Sequence, residues 1–142
     1  MGTFNVRTLR QTGQQAALAR TLDTLGIDVC CVSDTRINDP NGVIELTAPD
    51  LSSRYWLRAS GDADAALMGQ AGVGTILISK AVTSLVEWIP MNSRLCAALL
   101  TTSAKVDSRS STKRCLFVIS AYAPTDCSSN HELNALLRSA TS

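Results

Sequence analysis

What is scarce in this chain limits it more than what is common. No apolar run approaches the roughly 18 residues that cross a bilayer, so neither a membrane helix nor a membrane partner is expected. There is no Cys-x-x-Cys pair and the cysteines number five. That odd count without paired spacing argues against a zinc site and a disulfide framework, and leaves reduced, largely buried thiols. The single histidine, His131, stands in the first turn of an expected last helix with no acid partner, and reads as a solvated surface residue rather than a base. No Ser/His/Asp set and no cysteine with a base beside it can be assembled. Charge excess is missing too: a net charge of +1 removes the global basic footprint that drives nonspecific nucleic-acid binding, so any such binding has to be local. The N-terminal residues lack the apolar core and cleavage site of a secretory signal, and Val6 occupies the position where a myristoylation signal needs Ser or Thr. A nuclear or cytoplasmic protein, not secreted, is expected.

What is present is enough for one core. At 142 residues and 45% hydrophobic, residues 1–142 are expected to form a single domain. Ten of the 13 basic residues are Arg, whose planar fork suits phosphate better than the Lys ammonium does.

The order of elements points to an α/β fold. Thr3 to Leu9 reads as a strand. Thr12 and Gln15 have capping-box spacing, Leu18, Leu22 and Leu25 recur at helical spacing, and Gly26 supplies a left-handed stop with Ile27 over the last turn. Val29 to Val32 is continuously apolar, as in a strand covered on both faces and parallel to its neighbour. Strand, helix, strand at this length is a right-handed crossover, which brings Asn5–Arg10 and Ser33–Arg36 to one edge of the sheet. After the turn signal Asp39-Pro40-Asn41-Gly42 come Val43–Leu46, Tyr55–Arg58, Gly74–Ser79, Leu85–Ile89 and Leu95–Thr101, separated by turn material such as Gly61-Asp62-Ala63-Asp64; a meander fits them. Ala104 to Lys113, polar and Ser-rich, reads as a solvated hairpin loop, Cys115–Ala121 as the last strand, and Ser129 with Glu132 as a second capping box before Leu133, Leu136 and Leu137.

Polar groups at the strand ends are the candidates for chemistry. Asp34 ends an apolar strand; Mg²⁺ takes one or two carboxylates and completes its octahedron with water and phosphate oxygens, so one sheet-borne acid can nucleate a site. The same position also suits a solvated edge or a turn. Asn5 could orient a neighbouring carboxylate or close a turn, and on its own the turn is favoured. Tyr122, held extended by Pro124, could aim its hydroxyl at a phosphate or simply sit amphipathically at the rim. Gly72-Val73-Gly74 is too short for a phosphate-cradling loop and reads as the start of a strand. Trp56 and Trp88 fit packing better than base stacking.

Together Asn5-Val6-Arg7-Thr8-Leu9, Ser33-Asp34-Thr35-Arg36-Ile37, Gly72-Val73-Gly74 and Ala121-Tyr122-Ala123-Pro124-Thr125 resemble the endonuclease/exonuclease/phosphatase superfamily. Within it the chain is most similar to the apurinic-type endonuclease domain of non-LTR retrotransposons and to the retrotransposon-derived craniofacial development protein 2-like group. The resemblance implies the amino-terminal half of a four-layered α/β sandwich, a mixed sheet with helices on one face, from a Mg²⁺-dependent phosphodiesterase acting on DNA. It implies that Asn5 lines the active site, that Asp34 stands where the family has its metal-binding Glu, that Arg36 is the basic, phosphate-binding residue following it, and that Tyr122 contacts the scissile phosphate. Arg94 falls, more loosely, at a recurrent basic position near the substrate face.

Two departures bear on activity. Asp at 34 retracts the carboxylate by about one C–C bond, roughly 1.5 Å, where Mg²⁺ wants ligands at about 2.0–2.1 Å. The chain also reaches Ser142 without the family's Gly-Asp-x-Asn motif and later Asp-His pair, which orient the attacking water and stabilise the leaving oxygen. The expectation is therefore a fragment of a nicking endonuclease that is inactive as it stands. The alternatives are a noncatalytic binding or assembly module, whose exposed inner sheet face seeks a second copy or a complementary half-domain, and a phosphatase or lipid phosphodiesterase of the same superfamily.

Overall fold

Residues 1–37, 42–46, 48–61, 72–107 and 110–122 are described by the computed structural model. The turn signal at 39–41, the loop at 62–64 and everything from residue 123 onward, including the second capping box, His131 and Cys127, lie outside the described residues. The first strand, β1, covers Gly2–Asn5 and pairs in parallel with β2, Val29–Ser33, across the helix α1, Thr12–Leu25. The expected strand to Leu9 stops at Asn5 because a turn interrupts it. The Arg7 N–H donates to Asn5 Oδ1 at 3.2 Å, and Arg7 takes a φ of 59°.

Helix α1 ends as its sequence foretells and begins differently. At its end Gly26 is left-handed with φ 66°, and the N–H groups of Gly26 and Ile27 return to the carbonyls of Asp23 and Leu22 at 3.2 and 2.9 Å. These are the paired bonds that close a helix on glycine. At its start the cap is Gln11, in extended backbone with no side-chain cap bond, so Thr12 is already helical and the expected box with Gln15 does not form. Gln15 instead donates its amide to the Leu9 carbonyl at 2.8 Å in a buried position, fastening the helix to the loop behind β1.

The remaining strands form two sheets rather than one meander. β3 (Val43–Leu46), β4 (Tyr55–Ser60) and β5 (Val73–Ile78) run antiparallel and join β2, giving a mixed five-stranded sheet in the order β1-β2-β5-β4-β3. A one-turn helix, α2 (Ser79–Val82), leads to β6 (Leu85–Pro90), β7 (Leu95–Asp107) and β8 (Ser110–Ala121), a separate antiparallel sheet. Within the expected loop, residues 104–107 and 110–113 are strand and continue the β7–β8 ladder, with Ala104 opposite Thr112 and Lys105 opposite Ser111. Polar composition reads as a loop there, yet a main-chain ladder forms regardless of it because its hydrogen bonds come from the backbone.

Two apolar layers result. Leu22 and Ala19 of α1 pack with Cys30, Val32, Leu57 and Ile76 on one face of the five-stranded sheet. On the other face Leu77 meets Leu100 and Val118 of the second sheet, with Val29 and Cys31 beside them. Central strand β5 is thus covered on both sides, which is why its residues Val73–Leu77 are all buried. Through these contacts the two sheets face each other. Open apolar side chains on β8 are Leu116 and, on the side away from Val118, Phe117 and Ile119. The protein is a strand-rich mixed α/β fold, and among the described residues no helix is long and apolar enough to cross a membrane.

Small polar groups lock the seam between the sheets. Thr75 and Ser120 hydroxyls meet at 3.2 Å, Ser120 donates to the Gly74 carbonyl at 3.0 Å, and no buried side-chain polar atom among the described residues lacks a partner. Burial pushes the Cys96 thiol beside them up to about 12 from an ordinary 9.0, against the opposing pull of the Ser120 and Thr75 hydroxyls.

The two leucines of the helix stripe should separate in experiment. Leu22→Ala, at a fully buried site, is expected to lower unfolding free energy by about 2–5 kcal/mol, and Leu25→Ala, 59% exposed, by less than about 1 kcal/mol in urea titrations. Alkali should act through the seam. A thiol whose folded pKa is raised leaves stability intact below the ordinary value and removes it as pH climbs from 9.0 toward about 12. Stability is expected to fall across that range, and Cys96→Ala should flatten the fall relative to wild type.

Candidate functional site

One rim of the sandwich collects the ends of many strands. Because β1 and β2 are parallel, Asn5 and Ser33 finish side by side, and the Val6 N–H donates to the Ser33 carbonyl at 3.1 Å. Antiparallel β5 starts at the same edge, with Val73 opposite Ser33, and β4 ends there with Ser60 opposite Val73. The second sheet arrives through the Ser120 bond to Gly74 and a bond from Ser60 Oγ to the Asn92 carbonyl at 2.8 Å. Just beyond Ser120, the Tyr122 N–H donates to the Arg94 carbonyl at 2.8 Å. The backbone positions of Asn5, Asp34, Arg36, Arg94 and Tyr122 therefore share one edge.

The segment Asp34-Thr35-Arg36 shapes this rim. Thr35 is fully buried; its N–H donates to the Gly72 carbonyl at 3.1 Å and its carbonyl accepts the Leu9 N–H at 3.0 Å. Asp34 and Arg36 on either side have φ of 61° and 54°, and with Arg7 they are the non-glycine residues of positive φ among the described residues. Such backbone costs about 1–3 kcal/mol per residue and persists where surrounding bonds over-determine it. With Thr35 turned inward, its two charged neighbours project outward together, and Arg36 Nε lies 3.4 Å from Asp34 Oδ1. The Asp34 side chain keeps 20% of its surface exposed and Arg36 48%. Arg10 adds a bond from Nε to the Arg36 carbonyl at 2.7 Å, tying the β1 loop to the β2 loop.

Asn5 resolves in favour of the turn: its Oδ1 accepts the Arg7 N–H, and Thr8 N–H closes onto the Val6 carbonyl at 2.7 Å around Arg7. Arg94 occupies the turn into β7, where its N–H donates to Asn92 Oδ1 at 2.8 Å. Among the described residues no three of His, Cys, Asp and Glu gather as metal ligands. Asp34 thus offers one partly exposed carboxylate, which fits a cation that keeps most of its water.

Sequence reasoning missed Thr35, Arg7 and Arg10 as organisers of the rim. Thr35 gave no signal, because a lone Thr in a polar loop has no periodic context. The Gly72-Val73-Gly74 run did hold one: a Cβ on Gly72 would stand 2.7 Å from Thr35 Oγ1, and one on Gly74 would stand 2.7 Å from the Arg58 carbonyl. Both glycines mark close approaches of backbone, at the point where the first sheet meets the rim.

No protein-family model matches this chain and no curated protein matches it, so its activity has to be read from residues and geometry.

Contact between Gly72 and Thr35 makes a measurable pair. Gly72→Ala is expected to destabilise by about 1–3 kcal/mol through overpacking. In the double variant with Thr35→Ala the two losses should be less than additive by at least about 0.5 kcal/mol in a urea double-mutant cycle. Strict additivity would mean that the two residues do not constrain each other.

Proposed function

We propose that this chain carries one rim of the site of a metal-dependent phosphodiesterase, as the amino-terminal half of a four-layered α/β sandwich of the endonuclease/exonuclease/phosphatase type and of retroelement origin. The observation that carries this reading is the convergence of three strand ends, those of β1, β2 and β8, on one edge that holds an amide, an acid and a phenol. Support also comes from the positive φ at Asp34 and Arg36, since strained backbone collects where a site is preorganised.

In this reading Asp34 is the carboxylate that holds Mg²⁺, and Asn5 orders it: with Oδ1 committed to Arg7 N–H, the amide NH₂ is left to donate toward the acid. A bound divalent cation would supply polarisation of a phosphoryl oxygen. Arg36 begins paired with Asp34 and turns to phosphate when the carboxylate is engaged. The exchange costs little, because an exposed ion pair of this kind is worth about 0–1 kcal/mol. Tyr122 and Arg94, joined by the backbone bond between them, stand across the rim as the second phosphate contact. DNA is the substrate proposed, in the nucleus or cytoplasm. Hydrolysis needs a group to take the proton of the attacking water, and this sequence has no Gly-Asp-x-Asn motif to provide it.

The expected outcome has two arms. Added Mn²⁺ should broaden amide resonances from Ser33 to Arg36 and of Val6 in the ¹⁵N-labelled chain, and Asp34→Ala should abolish the effect; broadening that survives Asp34→Ala would remove Asp34 from the site. The 142-residue chain should leave supercoiled plasmid intact at every Mg²⁺ concentration, and nicking that disappears in Asp34→Ala would instead establish a complete catalyst.

A further inference from the structure

Beside the rim, between β1 and α1, lies a groove of about 420 Å³, within the roughly 300–1,000 Å³ of small-molecule sites. Phe4, Leu9, Ala17 and Leu18 supply apolar walls, while Asn5 and Gln14 bring side-chain amides. Groove and rim are one hydrogen bond apart: Leu9 lines the groove, and its N–H donates to the carbonyl of Thr35, the residue between Asp34 and Arg36. Asn5 belongs to both.

Among the described residues no charged side chain lines the groove, and the charge of the adjoining loops favours an anion beside it. The loops 5–10 and 33–37 contain Arg7, Arg10 and Arg36 against the lone carboxylate of Asp34, all three arginines being exposed. Phosphate on the arginines with a planar, hydrogen-bonding group in an apolar slot is the chemistry of a nucleotide. Side-chain amides are the groups that pair with base edges, and an aromatic ring such as Phe4 can carry a stacked base.

We propose that the β1–α1 groove takes the base of a nucleotide whose phosphate lies at the Asp34–Arg36 rim. The assignment rests on the phosphodiester reading of that rim and deepens it, since it makes the ligand a single strand with an unstacked base rather than a closed duplex. Gln14, exposed on the first turns of α1, reads the base edge; Asn5 spans base and rim; Ala17 sets the width of the slot.

Fluorescence anisotropy with a short single-stranded DNA and an abasic phosphodiester of equal length tests this, with folding of every variant checked by circular dichroism. Wild type is expected to prefer the base-bearing strand by roughly tenfold, in keeping with the worth of one stacked base. Ala17→Trp, which fills the slot, and Gln14→Ala, a surface change that leaves the fold alone, should each reduce that preference, whereas Arg36→Ala should weaken both strands alike. Equal affinity of wild type for the two strands overturns the groove and leaves the rim standing. Loss of preference in Gln14→Ala with no effect of Arg36→Ala upholds the groove and overturns the rim. Absence of binding to either strand overturns both.

Discussion

Thr35 is tied on both sides by its own backbone, to Gly72 through the N–H and to Leu9 through the carbonyl, and no surface of it reaches solvent. Those two bonds join three separate stretches of chain: the loop after β1, the end of β2 and the start of β5. A threonine fixed this way dictates what its neighbours do. With its side chain inward and its bonds made, Asp34 and Arg36 are driven into left-handed backbone and their charges outward. Arg36 adopts that conformation at a cost, whereas Asp is one of the few side-chain-bearing residues that tolerate it. The strain is local and the bonds that hold it are buried, so the loop keeps one shape and the carboxylate keeps one direction.

The rim exists because the sheets stop together. Parallel pairing of β1 and β2 forces both ends to one edge, and each antiparallel neighbour then begins or finishes there in turn. Carrying that edge across to the second sheet requires a fixed register between sheets, which apolar contact alone does not give, since Leu77, Leu100 and Val118 could slide with small loss. The Thr75–Ser120–Gly74 bonds cannot slide. Displacing them by one residue would leave two hydroxyls buried without partners, at about 1–3 kcal/mol each. Directional bonds at the seam thus place Tyr122 and Arg94 on the same edge as Asp34.

Legibility in the sequence followed how local the cause was. Helix α1 with its glycine stop and the apolar strand β2 depend on a few consecutive residues, and the sequence displayed them, whereas the turn after Asn5 cut short the strand expected to reach Leu9. The start of α1 was off by one residue because Gln15 served the Leu9 carbonyl, a contact set by how the helix docks. Only the tip of the β7–β8 ribbon, residues 104–113, reads as a loop from its sequence, because polar side chains say nothing about whether a backbone finds a ladder partner six or eight residues away. Left-handed φ at Asp34 and Arg36 depends on Thr35 finding Gly72, 37 positions distant, as its cover. Site residues were named from a pattern of motifs; the force that aligns them is long-range.

Local charge decides what such a rim can hold. The protein is nearly neutral overall, yet three arginines and one carboxylate meet in two short loops. At physiological salt a Debye length of about 8 Å confines that field to the rim itself. A lone carboxylate already 3.4 Å from a guanidinium is a weak trap for a free cation. In the proposed site an incoming phosphate would change the balance, because it would draw Arg36 away and free the Asp34 carboxylate just as it brings oxygens that a cation also wants. On the proposed reading, phosphate and cation therefore bind better together than either does alone, and the ion pair between Asp34 and Arg36 is the element that couples them.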